Sequence, residues 1–250
     1  MKVRVKFTKT GKVRFLGHLD VMRYFQKAIR RAALPVAYSE GFSPHQIISF
    51  ASPLSVGVES IGEYFDVEMT ETVDTNELAA RLNSTMAEGF SVLGAAQLPD
   101  TAGHKLNAMA QVRAAEYLTA VTDSDYVNEL MLTQMVNINN LHSYMTDQVS
   151  RFLEKDEIPY VKHTKKSDIT MNLKDSLYRL EVKESNCNLI CFSMLVRSSS
   201  SGTGNLKPME VVSELFHFMN MEAPSKLRIL RIETYGEAKG KLVPLTEALD

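Results

Sequence analysis

The chain has 250 residues, of which 44% are hydrophobic and 23% charged, and its net charge is −2. This composition is typical of a soluble protein with a buried core, and its two cysteines are too few for an iron–sulfur cluster on three thiolates or a zinc ion on four. No apolar run reaches the ~18–20 residues of a membrane helix, and the N-terminus lacks the apolar block of a signal peptide, so we expect a cytoplasmic protein without membrane contact.

The first hundred residues show the periodicity of strands and helices in alternation. In KVRVKFT (2–8), period-two alternation predicts a strand with its valines and Phe7 inward and Lys2, Arg4 and Lys6 outward. Apolar residues at spacings of three and four predict an amphipathic helix over 19–33, which Pro35 ends. The later elements of this half are a strand over 63–69, a helix over 75–86 and a strand over 90–98.

The same order of elements recurs after residues 99–113, which are predicted to be a linker. The recurring elements are a strand (115–122), a helix (140–156), a hairpin (177–184 and 188–196), a helix (208–219) and a strand (227–235). We therefore predict an α+β fold of two tandem ferredoxin-like (βαββαβ) units with antiparallel sheets, as domains 1–98 and 114–250. One face of each sheet would be free for a partner.

Positive charge is concentrated at the start of the chain. Residues 1–50 carry ten Lys and Arg against two acidic residues, whereas residues 51–100 carry nine acidic residues against Arg81. On the predicted helix, one face holds Arg23, Lys27, Arg30 and Arg31, with Arg14 in the turn before it. This face is predicted to bind phosphates, and the alternative is a solvated face that forms ion pairs with Glu63, Asp66 and Glu68.

The segment YSEGFSPHQIISFASP (38–53), called the signature segment below, is too apolar for an ordinary loop. Gly41 and Pro44 predict a turn. The turn would hold three side chains able to stack on or hydrogen-bond a base, namely Tyr38, Phe42 and His45. The residues that follow, Ile47, Ile48 and Phe50, are predicted to form a buried strand.

Three residues are candidates for catalysis. His18 and Asp20 lie where the chain enters the first helix, and His45 lies in the signature segment, so the three would cluster if both segments left the same end of the unit. Their spacing matches no metal-ligand pattern, so no metal or other cofactor is predicted.

A Ser- and Gly-rich loop, RSSSSGTGNLKP (197–208), precedes the second helix of the C-terminal half. Backbone N–H groups of such a loop can bind an anion at a helix N-terminus, and a flexible surface loop is the alternative. The predicted anion-binding residues are Ser201, Gly202, Thr203, Gly204, Asn205 and Lys207. The basic stretch 160–176 is interpreted as a solvated hairpin.

Residues 14–69, from RFLGHLDVMRYF to GEYFDVEM, strongly resemble the opening of the radical SAM-linked protein family. SDITMNLKD and GTGNLKP are similar to later motifs of that family, although Thr170 stands where an arginine is common, so this chain lacks any anion contact that such an arginine would make. The resemblance covers nearly the whole chain. It implies a domain of unknown function that partners a radical SAM protein and has a link to RNA.

The sequence and the resemblance together predict a non-catalytic accessory module of a radical SAM system. It would bind RNA or another phosphate-bearing substrate through the basic helix and the signature segment. Two alternatives stay open. One is a metal-independent endoribonuclease-like enzyme that uses His18 or His45, and the other is a protein-binding scaffold for a radical SAM enzyme.

Overall fold

The computed structural model describes residues 1–99, 107–163, 167–184, 189–199 and 205–248. These residues form a mixed α+β protein with mostly antiparallel strand pairing. The strands are β1 (Lys2–Lys9), β2 (Ile48–Phe50), β3 (Glu59–Glu68), β4 (Phe90–Leu98), β5 (Ala114–Val121), β6 (Pro159–His163), β7 (Asp168–Asn172), β8 (Leu177–Lys183), β9 (Ile190–Arg197), β10 (Leu227–Ala238) and β11 (Lys241–Pro244). The helices are α1 (His18–Arg31), α2 (Thr75–Asn83), α3 (Ala108–Gln111), α4 (Ser124–Thr133), α5 (Leu141–Glu154) and α6 (Pro208–Phe218). None of these helices is long and apolar enough to span a membrane.

The described residues fall into two compact units. The first comprises residues 1–99, 107–115, 199 and 231–248, and the second comprises 116–163, 167–184, 189–198 and 205–230. This division differs from the predicted domains, because residues 107–113 and 231–248 both belong to the first unit. Ala108, Val112 and Leu245 explain the difference, since they share a small buried cluster with residues 51 and 64 of the first unit.

In the first unit, the order β1-α1-β2-β3-α2-β4 agrees with the predicted order of elements. Strand β1 pairs antiparallel with both β3 and β4, and β2 pairs antiparallel with one end of β3. The strand order is β4-β1-β3, with β10 next to β3 and β11 on β10. Strand β3, which was predicted over 63–69, begins four residues earlier than predicted, at Glu59.

One face of this sheet packs against α1 and α2. The inward residues of β1 are Val3, Val5 and Phe7, as predicted, and all three are fully buried. Phe25 of α1 lies at the centre of this core, with its ring 4.5 Å from Phe7 and 5.0 Å from Phe65. The apolar residues of α1 recur at spacings of three and four because they form one stripe along the helix, and this stripe packs on the sheet.

The opposite face of the sheet is not free, which corrects the prediction. Arg4 was expected to point outward but is fully buried. Its guanidinium donates to Asp66 (2.7 and 3.0 Å), to the Gln111 amide oxygen (2.6 Å) and to the Leu245 carbonyl (2.9 Å). Asp66 also accepts from the Ala108 N–H (2.7 Å). Residues far along the chain therefore cover this face.

The second unit places β5, β9 and β8 side by side, with Leu227–Leu230 of β10 next to β5. Strands β8 and β9 form the predicted hairpin, and β6 pairs antiparallel with β7 in a separate hairpin that overlaps the basic stretch 160–176. Helix α4 was not predicted. It buries only Val127 and Leu130, so its apolar stripe is too narrow to give a strong period.

The N-terminus of α2 allows a local stability test. Asp74 is its N-cap, and its carboxylate accepts from the N–H groups of Asn76 and Glu77, each at 2.9 Å. We expect Asp74→Ala to lower the free energy of unfolding by about 1 kcal/mol, because two helix N–H groups lose their acceptor. Urea denaturation measures the change. Glu71→Ala, an exposed acidic residue outside the helix, is the control, and an equal effect in both variants would contradict the cap's role.

Candidate nucleic-acid interface

Helix α1 has two chemically distinct faces. Its buried face consists of Val21, Phe25, Ala28 and Ile29. The opposite face, called the basic face below, is exposed and consists of Arg23, Lys27, Arg30 and Arg31. The 3.6-residue period separates these two sets, so burying the apolar stripe leaves the cations in solvent.

The acidic residues of β3 do not pair with the basic face. Glu63 contacts Arg231 (2.9 Å), Asp66 contacts Arg4 (2.7 Å) and Glu68 contacts Lys2 (4.0 Å). The ion-pair alternative considered from the sequence therefore fails for these three carboxylates.

Within the basic face itself, ion pairing is sparse. Arg23 lies 3.8 Å from Asp20, and both side chains are exposed. Arg31 donates to the Thr85 carbonyl (3.1 Å) and lies over the Tyr24 ring. Among the residues that the structure describes, the other cations of this face form no ion pair with a carboxylate. The face is therefore a local excess of positive charge that can attract an anionic partner.

The first part of the signature segment is a short hairpin, residues 38–46, called the tip hairpin below. Tyr38 pairs with Gln46, and the Ser39 N–H donates to the His45 carbonyl (2.8 Å). Gly41, with φ of +113°, provides the turn that few other residues adopt. Phe42 lies at the turn with its side chain fully exposed, and Tyr38 is about half exposed.

The base of the tip hairpin is hydrogen-bonded to helix α1. The Gln46 amide donates to the Gln26 carbonyl (3.2 Å), and Arg30 Nε donates to the same carbonyl (3.4 Å). Gln46 itself is buried. The base of the hairpin therefore lies next to Arg30 of the basic face. The strand after it is shorter and less buried than predicted, because Ile47 is exposed, Ile48 is half-buried and only residues 48–50 join β2.

The three catalytic candidates have separate contacts. The His18 ring packs edge-on against Phe50, with centroids 5.7 Å apart, whereas His45 Nδ1 lies 2.8 Å from Ser39 Oγ and is exposed. Asp20 is in the first turn of α1 and contacts Arg23. No described contact joins the three residues, so a catalytic cluster stays a prediction.

Arg14, the remaining predicted binding residue, lies apart from the basic face. Its guanidinium is 3.7 Å from Glu59 and lies over the exposed ring of Phe15, 4.7 Å from the centroid. Its carbonyl accepts from Gly57 N–H (2.9 Å) and from Lys9 Nζ (3.1 Å). Arg14 thus contacts Lys9, which belongs to a second polar region of the first unit.

This second region surrounds a small cavity of about 10 Å³ in the first unit, called the lysine cavity below. Its lining consists of Phe7, Lys9, His18, Val21, Phe50, Ser52, Leu54 and Glu63. Lys9 is almost fully buried. Burial lowers the pKa of Lys9, the Glu63 carboxylate acts in the opposite direction, and Arg231 adds to the lowering.

The burial of Lys9 was not predicted from the sequence, although its position in β1 indicated it. Period-two alternation in β1 places residue 9 on the same side as Val3, Val5 and Phe7, so a lysine there interrupts an apolar face. A charged side chain on such a face is rarely fully buried without a partner. Glu63, considered only as an ion-pair partner for α1, is a second lining residue that the sequence did not reveal.

In the second unit, the predicted anion-binding loop lies mostly outside the described residues, including Ser201, Gly202, Thr203 and Gly204. Asn205 and Lys207 are described and exposed, and the Asn205 carbonyl accepts from Lys162. Lys207 precedes α6 and borders an open cleft of about 600 Å³ between α6 and the β6-β7 hairpin. Thr170 lines the same cleft. Anion binding at this loop stays a prediction.

The fold and surface define a mixed α+β protein that presents a cationic helix beside an exposed aromatic hairpin. The chain belongs to the DUF2344 family, described as an uncharacterized protein conserved in bacteria, whose model matches residues 2–208. A comparison with curated proteins found no match. Among the described residues, no group of three or more His, Cys, Asp or Glu is placed to hold a metal ion.

Two solved structures are similar over 93% of this chain. One is titled "Crystal Structure of a Cbf5-Nop10-Gar1 Complex" (11% identity, 48% of that chain, TM-score 0.44). The other is titled "Structure of H/ACA RNP bound to a substrate RNA containing 2'-deoxyuridine" (10% identity, 47% of that chain, TM-score 0.41). The chain spans about half the length of these solved chains. At these TM-scores the likeness carries no conclusion about activity.

Proposed function

We propose that this protein is a non-catalytic RNA-binding module. The basic face would neutralise backbone phosphates, while Phe42, Tyr38 and His45 of the tip hairpin would contact bases. The observation that carries the proposal is the Gln46–Gln26 hydrogen bond, which holds the base of the hairpin against α1. The cations of the basic face on that helix form no ion pairs with Asp66 or Glu63 of β3, which contact Arg4 and Arg231.

The chemistry of this surface suits single-stranded RNA. Stacking on an aromatic ring needs an unpaired base and tolerates any sequence, and cations along one helix face can follow a phosphate backbone. Phe42 has no buried contact to lose in the free protein, so stacking adds to affinity without costing stability. Double-stranded RNA offers no accessible base faces and would use only the cations.

The resemblance to radical SAM-linked proteins supports a radical SAM enzyme as the partner that acts on the bound substrate. Co-purification of such an enzyme, resistant to nuclease treatment, would identify a direct protein contact. Co-purification that nuclease abolishes would instead indicate a shared RNA.

We also infer that each unit is ferredoxin-like. The orders β4-β1-β3-β2 in the first unit and β10-β5-β9-β8 in the second support this inference, because both interleave the strands of a βαββαβ unit in the same way. An experimental structure of the full chain would test it directly.

Removal of the exposed aromatic ring tests the function most simply. We expect Phe42→Ala to weaken binding of a fluorescent single-stranded RNA by about tenfold, since stacking of one base contributes ~1–3 kcal/mol. Fluorescence anisotropy measures the affinity. Because Phe42 is fully exposed, the melting temperature should not change.

The matched control for this test is Tyr178→Ala, which removes a half-exposed aromatic residue from β8 of the second unit. We expect that variant to bind RNA like the original protein. Equal affinity of the Phe42→Ala variant and the original protein would contradict base stacking at the tip hairpin.

One observation favours the enzyme alternative, namely that His18 and Lys9 line the same cavity. A histidine can act as general base and a lysine can stabilise transition-state charge. Incubation of end-labelled RNA with the protein in the presence of a chelator separates the alternatives. Cleavage that is lost in His18→Gln or His45→Ala would replace the non-catalytic proposal with a metal-independent ribonuclease.

A further inference from the structure

Charges around the lysine cavity do not balance. The Lys9 ammonium interacts there with two charged groups, the Glu63 carboxylate and the Arg231 guanidinium. Glu63 Oε1 lies 2.9 Å from Arg231 Nη1, and Glu59 Oε1 lies 3.7 Å from Arg14 Nη1. Glu63 is therefore shared between two cations, Lys9 and Arg231, whereas Glu59 contacts Arg14.

The Lys9 ammonium is poorly compensated for so buried a group. Its one described hydrogen bond is to the Arg14 carbonyl, at 3.1 Å, whereas an ammonium has three N–H donors. Its nearby carboxylate, Glu63, also contacts Arg231 at 2.9 Å, so the cost of burying the Lys9 charge is only partly offset. An anion brought close to Lys9 would offset that cost.

The cavity itself limits what can reach Lys9. Its volume of about 10 Å³ is that of roughly one water molecule or one ligand oxygen. Phe50 and Leu54 form apolar walls, and the polar lining is made by His18, Ser52 and Glu63. A single oxygen at the narrow end of a larger group fits these limits, and a whole sugar does not.

A helix end adds to the positive potential at this place. His18 is the first residue of α1, which has 14 residues and no side-chain cap at its N-terminus. The positive end of the helix dipole therefore lies at a lining residue of the cavity. It acts in the same direction as the charge on Lys9, and Asp20 in the first turn offsets part of it.

We propose that the lysine cavity binds one oxygen of a terminal phosphate group, and that its ligand is the phosphorylated end of an RNA strand. The identity of the strand as RNA rests on the proposed function, whereas phosphate binding at Lys9 does not. A terminal phosphate monoester presents oxygens without a second sugar, so it can enter a site of this size. An internal phosphodiester carries less negative charge and one unesterified oxygen fewer, so it is the weaker ligand for a buried cation.

The first test compares RNA strands of one sequence that carry a 5′-phosphate, a 3′-phosphate or hydroxyl groups at both ends. We expect one phosphorylated strand to bind about tenfold more tightly than the hydroxyl strand, the range of a hydrogen bond to a charged group. Lys9→Met should abolish this preference and leave the salt-dependent binding by the basic face. Lys12→Met, an exposed lysine in the turn after β1, is the control and should keep the preference.

The second test uses inorganic phosphate and the full chain with isotope-labelled lysines. We expect phosphate, and not acetate at equal ionic strength, to shift the NMR signals of the Lys9 side chain. His18→Gln should weaken that shift, which provides a second variant should Lys9→Met fail to fold. Equal shifts with acetate would overturn the phosphate assignment.

The two tests separate failure of this inference from failure of the proposed function. RNA binding without end preference, together with Lys9 signals that phosphate leaves unchanged, would overturn the inference and leave the proposed function intact. A phosphate-dependent shift of the Lys9 signals in a protein that binds no RNA would support phosphate binding at Lys9 and overturn the proposed RNA-binding function. An end preference that persists in Lys9→Met would also overturn the inference.

Discussion

Arg4→Met is expected to lower the free energy of unfolding of the first unit by about 3–5 kcal/mol, the range for breaking a buried ion pair by removal of one partner. Methionine fills a similar volume but leaves the Asp66 carboxylate buried with only the Ala108 N–H as a described donor. It also deprives the Gln111 amide oxygen and the Leu245 carbonyl of their donor. Hydrogen exchange of the β1 and β3 amides, together with urea denaturation followed by circular dichroism, measures the loss.

Lys2→Met is the matched control, because it removes the same charge from the same strand. Lys2 lies 4.0 Å from Glu68, and both side chains are well exposed, so this pair should contribute less than about 1 kcal/mol. A change below 1 kcal/mol in Arg4→Met as well would show that the Arg4 network does not stabilise the unit.

Neutralisation of the basic face is the second change with a large expected effect. A variant with glutamine at positions 23, 27, 30 and 31 should bind single-stranded RNA about 10²–10³-fold more weakly at 0.1 M salt, since each lost phosphate contact contributes ~0.7 to the salt slope. The slope of log affinity against log salt should fall by ~2.8 in magnitude. Fluorescence anisotropy over a salt series measures both quantities.

The control for this variant carries glutamine at four exposed lysines of other surfaces, namely Lys2, Lys183, Lys239 and Lys241. It changes the net charge by the same amount, so a general effect of charge would appear equally in both. A basic-face variant that binds with the original salt slope would exclude this surface as the RNA site. Thermal unfolding should be nearly unchanged in both variants, because exposed charges contribute little to stability.

Local periodicity was sufficient to predict the order of strands and helices in the first half of the chain. The stripe of Val21, Phe25 and Ile29 defines α1, and the alternation of Val3, Val5 and Phe7 defines β1, because each element must bury one face. The same reasoning placed the basic face in solvent. It failed for α4, which buries only two residues, and for the predicted linker, part of which is buried in the first unit.

The candidate site was only partly predictable. Gly41 and Pro44 indicated the turn that exposes Phe42, since their backbone preferences act over a few residues. The contact of Gln46 with Gln26 and the approach of Lys9, His18 and Glu63 to one cavity join four separate segments. Neither a helical nor a strand period carries information about such contacts.

The sequence by itself determined the faces of α1 and β1, the exposed turn of the tip hairpin and the excess of positive charge before residue 50. Tertiary structure alone decided which charges are neutralised. Arg4 and Leu245 are separated by 241 positions, yet they share a hydrogen bond that buries an arginine expected in solvent. Glu63 likewise meets Arg231, 168 positions away, and not the basic face. Charge balance depends on distances in space, whereas the periodicity of a sequence reports only which side of an element a residue occupies.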